Sequence, residues 1–127
     1  SDISNVGSVV MAQSVVIDII GADALNQRVA IIPANSQVVD VILNVTTVNN
    51  DSGTATVAVG TSADADAFIP ATNVKALGTT RGTLDTEATD VGTTDLEVMA
   101  DFVAGTEDGT TGAATVTVLY IQNNNLS

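Results

Sequence analysis

From Gln37 to Thr47 the chain reads Gln-Val-Val-Asp-Val-Ile-Leu-Asn-Val-Thr-Thr, with Val39, Val41, Leu43 and Val45 at alternate positions and Asp40, Asn44 and Thr46 between them. A period of two puts successive side chains on opposite faces, so this stretch predicts a strand with one face in a core and the other partly wet. Thr54 to Gly60 alternates in the same way through Ala55, Val57 and Val59. The link between them, Val48-Asn49-Asn50-Asp51-Ser52-Gly53, is made of residues that tolerate positive φ, and the unit predicts a β-hairpin. Upstream, Val9, Met11, Val15, Ile17 and Ile19 mark a long strand, or two short ones, between Ser8 and Ile20. Gly21-Ala22-Asp23 then turns the chain toward a short strand from Gln27 to Ile32. Pro33-Ala34-Asn35-Ser36 supplies a second turn, because proline fixes φ and lacks the N–H that a ladder needs.

The pattern changes between Ser62 and Asn73. Ala63, Ala65 and Ala67 interleave with Asp64 and Asp66, which predicts an irregular loop or helical turn, with Phe68 and Ile69 dropping into the core ahead of Pro70. Leu77 to Leu84 reads as a short strand broken by Gly82, and Asp85 to Thr94 as a polar, turn-rich connection. Asp95 to Ala104 sets Leu96, Val98, Ala100 and Phe102 on one face against Glu97, Met99 and Asp101 on the other. Glu107-Asp108-Gly109-Thr110 carries an Asp-Gly pair between alternating runs, a second hairpin signal. The last run, Ala113 to Gln122, is apolar on both faces near Leu119, Tyr120 and Ile121, as expected of a central strand or one covered by a partner. Roughly seven to nine short strands at regular spacing predict an all-β fold, an antiparallel β-sandwich of jelly-roll or Greek-key order. The expected division is an N-terminal arm over 1–7, one sandwich domain over 8–122 and a C-terminal tail over 123–127.

Composition narrows what such a sandwich can do. The 127 residues are 45% hydrophobic but only 2% aromatic, so the core must be built from Val, Ile, Leu and Ala. Such a core buries less area per residue, and its stability should lean on sheet pairing and on an intersubunit interface. Fifteen acids against three bases give a net charge of −12, and the only cations are Arg28, Lys75 and Arg81. Phosphate binding needs clustered Lys and Arg, so no nucleic-acid partner is expected. The absence of Cys removes disulfides and thiolate chemistry, and the absence of His removes the commonest general base and metal ligand. Val6 to Ile20 is apolar but interrupted by Ser8, Gln13, Ser14 and Asp18, too polar to span a bilayer and without the basic start of a signal peptide. No membrane partner is expected, and a chain beginning at Ser1 fits cytoplasmic synthesis followed by removal of the initiator Met.

Three constellations could carry chemistry. Asp51-Ser52-Gly53-Thr54 matches the Asp-Ser/Thr-Gly signature of aspartic proteases, whose homodimeric members share a proton between paired carboxylates. Asn49-Asn50 stands where those enzymes place an apolar strand, and a hairpin loop accounts for the same residues. Asp64 and Asp66 have the spacing of the first two ligands of a calcium loop, but the glycine and glutamate that complete such a loop are missing. They are the only metal candidates, and no cofactor is expected. Arg28 and Arg81 are scarce cations in an acidic chain, suited either to ion pairs within the protomer or to partner contact; Val9 and Met11 join them as contact candidates. Paired glycosidase-type carboxylates normally sit among aromatic platforms, and one Tyr, two Phe and no Trp supply none. An enzyme is not expected.

Taken together, Ile32-Pro33-Ala34-Asn35-Ser36-Gln37-Val38-Val39-Asp40-Val41, Leu43 to Thr47, Val59 to Phe68, Thr79-Thr80-Arg81-Gly82 and Gly112 to Val118 form a familiar order. From Ile32 onward the chain resembles small virion proteins of tailed bacteriophages, in particular capsid decoration or cement proteins. The resemblance implies a jelly-roll-like sandwich, usually a homotrimer, seated on the outside of the capsid against the major capsid protein and bracing the shell. It also implies a virion location after synthesis in the host cytoplasm, with the segment from Ser1 to Ile20 free to reach a neighbouring subunit. A head-fibre, tail or pilin-like assembly module is the alternative.

Overall fold

A computed structural model of the chain describes residues 10–82 and 91–122. The described residues form eight strands: β1 (Val10–Ile17), β2 (Ala24–Ile32), β3 (Ser36–Thr47), β4 (Ala55–Gly60), β5 (Ile69–Asn73), β6 (Gly78–Arg81), β7 (Leu96–Ala104) and β8 (Ala113–Gln122). They build two four-stranded antiparallel sheets, ordered β1-β8-β3-β6 and β2-β7-β4-β5. β1 pairs with β8, β2 with β7, β3 with β6 and β4 with β5, each strand with its mirror about the middle of the chain. This is one long hairpin wrapped over itself, the double-sheet jelly roll. The expected all-β sandwich is therefore the fold observed.

The aliphatic alternation does what its period implies. Val41, Leu43 and Val45 of β3, Val57 and Val59 of β4, Val98 and Ala100 of β7, and Val116 and Val118 of β8 all point between the sheets and are buried. Both phenylalanines sit at the centre of this layer, Phe102 at 0% and Phe68 at 1% exposure. Phe68 enters from the irregular loop between β4 and β5, as its sequence suggested, whereas Ile69 already belongs to β5. Pro70 is tolerated there because β5 is the edge of its sheet. β8 lies between β1 and β3, with Ala114, Val116, Val118 and Tyr120 buried between the sheets and Leu119 and Ile121 on the outer face.

Three expectations are corrected. The stretch from 48 to 54 is not a hairpin loop, because β3 and β4 lie in different sheets; it is a crossover. The Asp-Gly link between β7 and β8 is a crossover for the same reason. In both loops the polar side chains bond to distant backbone instead of closing a local turn, as described below. The third correction is Val39. A register shift between Val38 and Asp40 buries Val38 at 3% and turns Val39 out at 44%, because one extra residue on a strand flips the faces.

Between the sheet edges β1 and β2 the sandwich is closed by two glutamines. Gln13 Nε2 donates to the Ile31 carbonyl (2.7 Å) and Gln13 Oε1 accepts from the Ile31 N–H (3.1 Å). Gln27 Nε2 donates to the Asp18 carbonyl (2.8 Å) and its Oε1 accepts from the Asp18 N–H (2.7 Å). Each side-chain amide thus reproduces a two-point ladder pairing across sheets that share no ladder of their own. The proposed arm over 1–7, the tail over 123–127, Val9, and most of the turn-rich stretch from Asp85 lie outside the described residues.

Because Phe102 supplies a large share of the aromatic volume in an otherwise aliphatic layer, Phe102→Ala should remove about 3–5 kcal/mol of stability. Urea titration followed by circular dichroism measures it, and a loss below ~1 kcal/mol would contradict the packing described.

Candidate functional site

The densest polar constellation lies where the crossovers meet. β1 runs into the loop at 18–23, β3 into that at 48–54 and β7 into that at 105–112, all at one end of the sandwich. Asp51, only 1% exposed, is the node. Its Oδ1 accepts from the N–H of Gly53 (2.6 Å) and Thr106 (3.2 Å), and its Oδ2 from the N–H of Glu107 (2.7 Å). Asn49, equally hidden, presents Oδ1 to the Asp51 N–H (2.7 Å) and donates Nδ2 to the Ile19 carbonyl (2.7 Å). Asp108 takes the Ser52 N–H (2.8 Å) and hydroxyl (2.7 Å), and Asn50 Oδ1 takes the N–H of Thr110 (2.7 Å). Asp23 Oδ1 accepts from the Ala104 N–H (2.8 Å), tying in the first loop.

These contacts explain the local backbone. A Cβ on Gly53 would lie 2.6 Å from the Thr106 hydroxyl oxygen, so the two loops approach only because that residue is glycine. Glu107 holds a left-handed φ of 64°, a conformation that costs an ordinary residue about 1–2 kcal/mol and persists here because its N–H is held by Asp51. Lys75 donates Nζ to the Gly53 carbonyl (2.7 Å), bracing the same loop from the β5–β6 link.

The electrostatics follow from this geometry. Burial pushes the Asp51 carboxyl up, but the backbone N–H groups of Gly53, Thr106, Glu107 and Asp108 outweigh it and hold the group below its ordinary value of 3.8. Asp108 is likewise lowered, chiefly by the Ser52 N–H and hydroxyl. A carboxylate whose oxygens are committed to three loop amides is suited to holding loops, not to sharing a proton across a dimer axis. The protease-like tetrapeptide is thus a structural latch, and the signal that could have revealed it is the Asn-Asn-Asp run, whose side chains characteristically bond to nearby backbone.

The other candidates lie apart from the latch. Asp64 and Asp66 meet in the turn between β4 and β5, where the hydrogen bond to Asp66 raises the Asp64 pKa. No group of three or more acidic, His or Cys side chains able to hold a metal occurs among the described residues. Arg28 pairs with Glu97 across β2 and β7, and Arg81 Nε lies 3.4 Å from Asp40 Oδ2 across β6 and β3. Both arginines are therefore engaged within the protomer, yet each stays more than half exposed. Met11 is half-buried against the core, and Val9 lies outside the described residues. Met11, Arg28 and Arg81 lie on three different strands, β1, β2 and β6.

No protein-family model and no curated protein matches the sequence. Solved structures do match the fold. A chain of the cyanophage Pam1 capsid asymmetric unit superposes with a TM-score of 0.73 at 19% identity, over 96% of this chain and 91% of that one. A chain from the acid-stable capsid of Helicobacter pylori bacteriophage KHP30 gives 0.65 at 18% identity, over 91% and 90%. One from the capsid of Ralstonia phage GP4 gives 0.59 at 19% identity, over 96% and 90%. At these identities the jelly roll is what is shared.

The latch makes a pH prediction. Asp51 and Asp108 titrate below 3.8 in the folded chain, so they stabilise it fully above that value and progressively less as pH falls through their lowered folded values. The urea midpoint should therefore fall on acidification below about pH 4, and Asp51→Asn should have a lower midpoint at neutral pH with a flatter acid limb. An unaltered acid limb in that variant would remove Asp51 from the account.

Proposed function

We propose that this chain is a structural virion protein that binds the outside of a phage capsid and stabilises the shell, a decoration or cement protein. The observation that carries the reading is the near full-length match of its jelly roll to chains found in phage capsid structures. The chemistry of the molecule agrees with it. The most buried of its described carboxylates is spent on joining loops, its arginines are paired, and its acidic body favours a soluble, self-repelling particle that will not coat nucleic acid. On this reading the major capsid protein is the partner, the working form is a homotrimer, and the protein ends on the virion surface.

A folded body that braces a shell has to resist being pulled open, and the latch and glutamine clamps serve that need by joining elements distant in sequence. Binding would then use the outer surfaces of an already rigid body, together with the arm over 1–7. Arg28 and Arg81 remain contact candidates through their exposed guanidinium faces.

The purified protein should co-sediment with expanded, empty capsids of its phage at saturating, symmetric occupancy, and capsids so loaded should survive heating or shear that ruptures bare ones. Failure to bind any shell would overturn the reading, and open polymers in place of discrete particles would favour the head-fibre, tail or pilin-like module. Deleting Ser1 to Gly7 should lower occupancy; unchanged occupancy would sink the role assigned to the arm.

A further inference from the structure

Charge is distributed very unevenly over the two sheets. β1 and β8 contain no Asp, Glu, Lys or Arg in either strand, and the rest of their sheet holds only Asp40 and Arg81, which pair with each other. The acids gather elsewhere: Asp18, Asp23, Asp51, Glu107 and Asp108 at the latch end, Asp64 and Asp66 in the β4–β5 turn, and Glu97 and Asp101 on β7. On the outer face of the neutral sheet, Val10 lies opposite Ile121, Ala12 opposite Leu119 and Ser14 opposite Thr117. The Ser14 and Thr117 hydroxyls hydrogen-bond at 2.9 Å, which fixes this set as one face. Val10 is 51% and Val16 69% exposed, the latter the most exposed large apolar side chain described.

The sheet edges give a second, independent observation. β6 is four residues long and ends in Arg81; β5 carries Pro70. β2 is broken by two register shifts and is covered by Gln13 at Ile31. Those are the usual means by which an edge is kept from pairing with another chain. Among the described residues β1 has none of them along its own length, and Gln27 clamps only Asp18 just past its end. It runs eight residues in unbroken register with β8, without charge, glycine or proline.

We infer that the β1–β8 strip, with the adjoining edge of β1, is the surface through which copies of this chain meet. The charge distribution selects the occupant. At a net charge of −12, two copies approaching through the latch end or through β7 would set like charges face to face, whereas contact through the neutral strip sets none. A basic partner would be drawn instead to the acidic faces, which this arrangement leaves free. The inference supplies the contact surface for the oligomer proposed above, but it stands on charge and edge geometry, and its test needs no shell.

Sedimentation of the purified chain reads the outcome directly. The wild type should form a closed oligomer whose mass does not fall when salt is raised, since no ion pair holds the contact. Val16→Asp should weaken association on the order of 100-fold or more, because a carboxylate would be buried against apolar surface, while Val103→Asp on the other sheet should leave it unchanged. In the wild type, β1 amides should lose protection from hydrogen exchange on dilution to monomer, a reading that does not depend on how any variant folds. A chain monomeric at all concentrations, equal association by Val16→Asp, or β1 exchange independent of concentration would overturn the inference. Shell binding by a chain that stays monomeric would separate this failure from failure of the capsid reading.

Discussion

An aliphatic layer pressed between two sheets that share no backbone ladder is the constraint on which this molecule depends. Hydrophobic burial pulls the sheets together, but it is non-directional and does not fix how they are aligned. Alignment comes from side chains that imitate backbone. Gln13 and Gln27 each pair with both the N–H and the carbonyl of one residue on the opposite sheet's edge or loop. At the latch end Asp51 and Asn49 bind backbone groups from the loops that follow β1, β3 and β7. At the other end Asn35 donates its N–H to the Gly92 carbonyl (2.7 Å), and Asp95 accepts the Ala34 N–H (2.9 Å). The rim of the sandwich is thus closed by directional polar contacts around a core that has few of its own.

This division of labour also decides where charge can go. Carboxylates that accept backbone N–H bonds are most useful ionised, which suits a chain with fifteen acids and three bases. The cations are used sparingly, two in cross-strand pairs and one on a loop carbonyl. Among the described residues, what remains uncharged is the β1–β8 strand pair. A body acidic over most of its surface and neutral on one face resists indiscriminate association while leaving one contact without repulsion, a combination suited to ordered assembly.

Much of the fold could be read from alternation alone. The core faces of β4, β7 and the later half of β3, and the plug made by Phe68, all follow from a period of two and from residue size. What alternation could not convey is which sheet a strand joins. Asn49, Asn50, Asp51 and Gly53 look like a tight turn because turn and latch need the same residues: short polar side chains that bond to backbone, and a glycine where chains crowd. The difference lies in partners some fifty-five residues away, such as Thr106 and Glu107, to which local sequence is blind. Val39 misled for a related reason, since a bulge set by pairing with β8 reverses the face assigned by counting along β3. The glutamine clamps left no sequence signal, because Gln13 and Gln27 resemble any exposed polar residue until their partners are known.

Cryo-electron microscopy of phage particles from the source of this chain is the decisive measurement of the proposed capsid role. A decoration role requires discrete densities on the outer surface of the capsid into which the eight-stranded jelly roll fits, contacting the major capsid protein. Density for this chain in the tail or a fibre, or its absence from the mature particle, would contradict it.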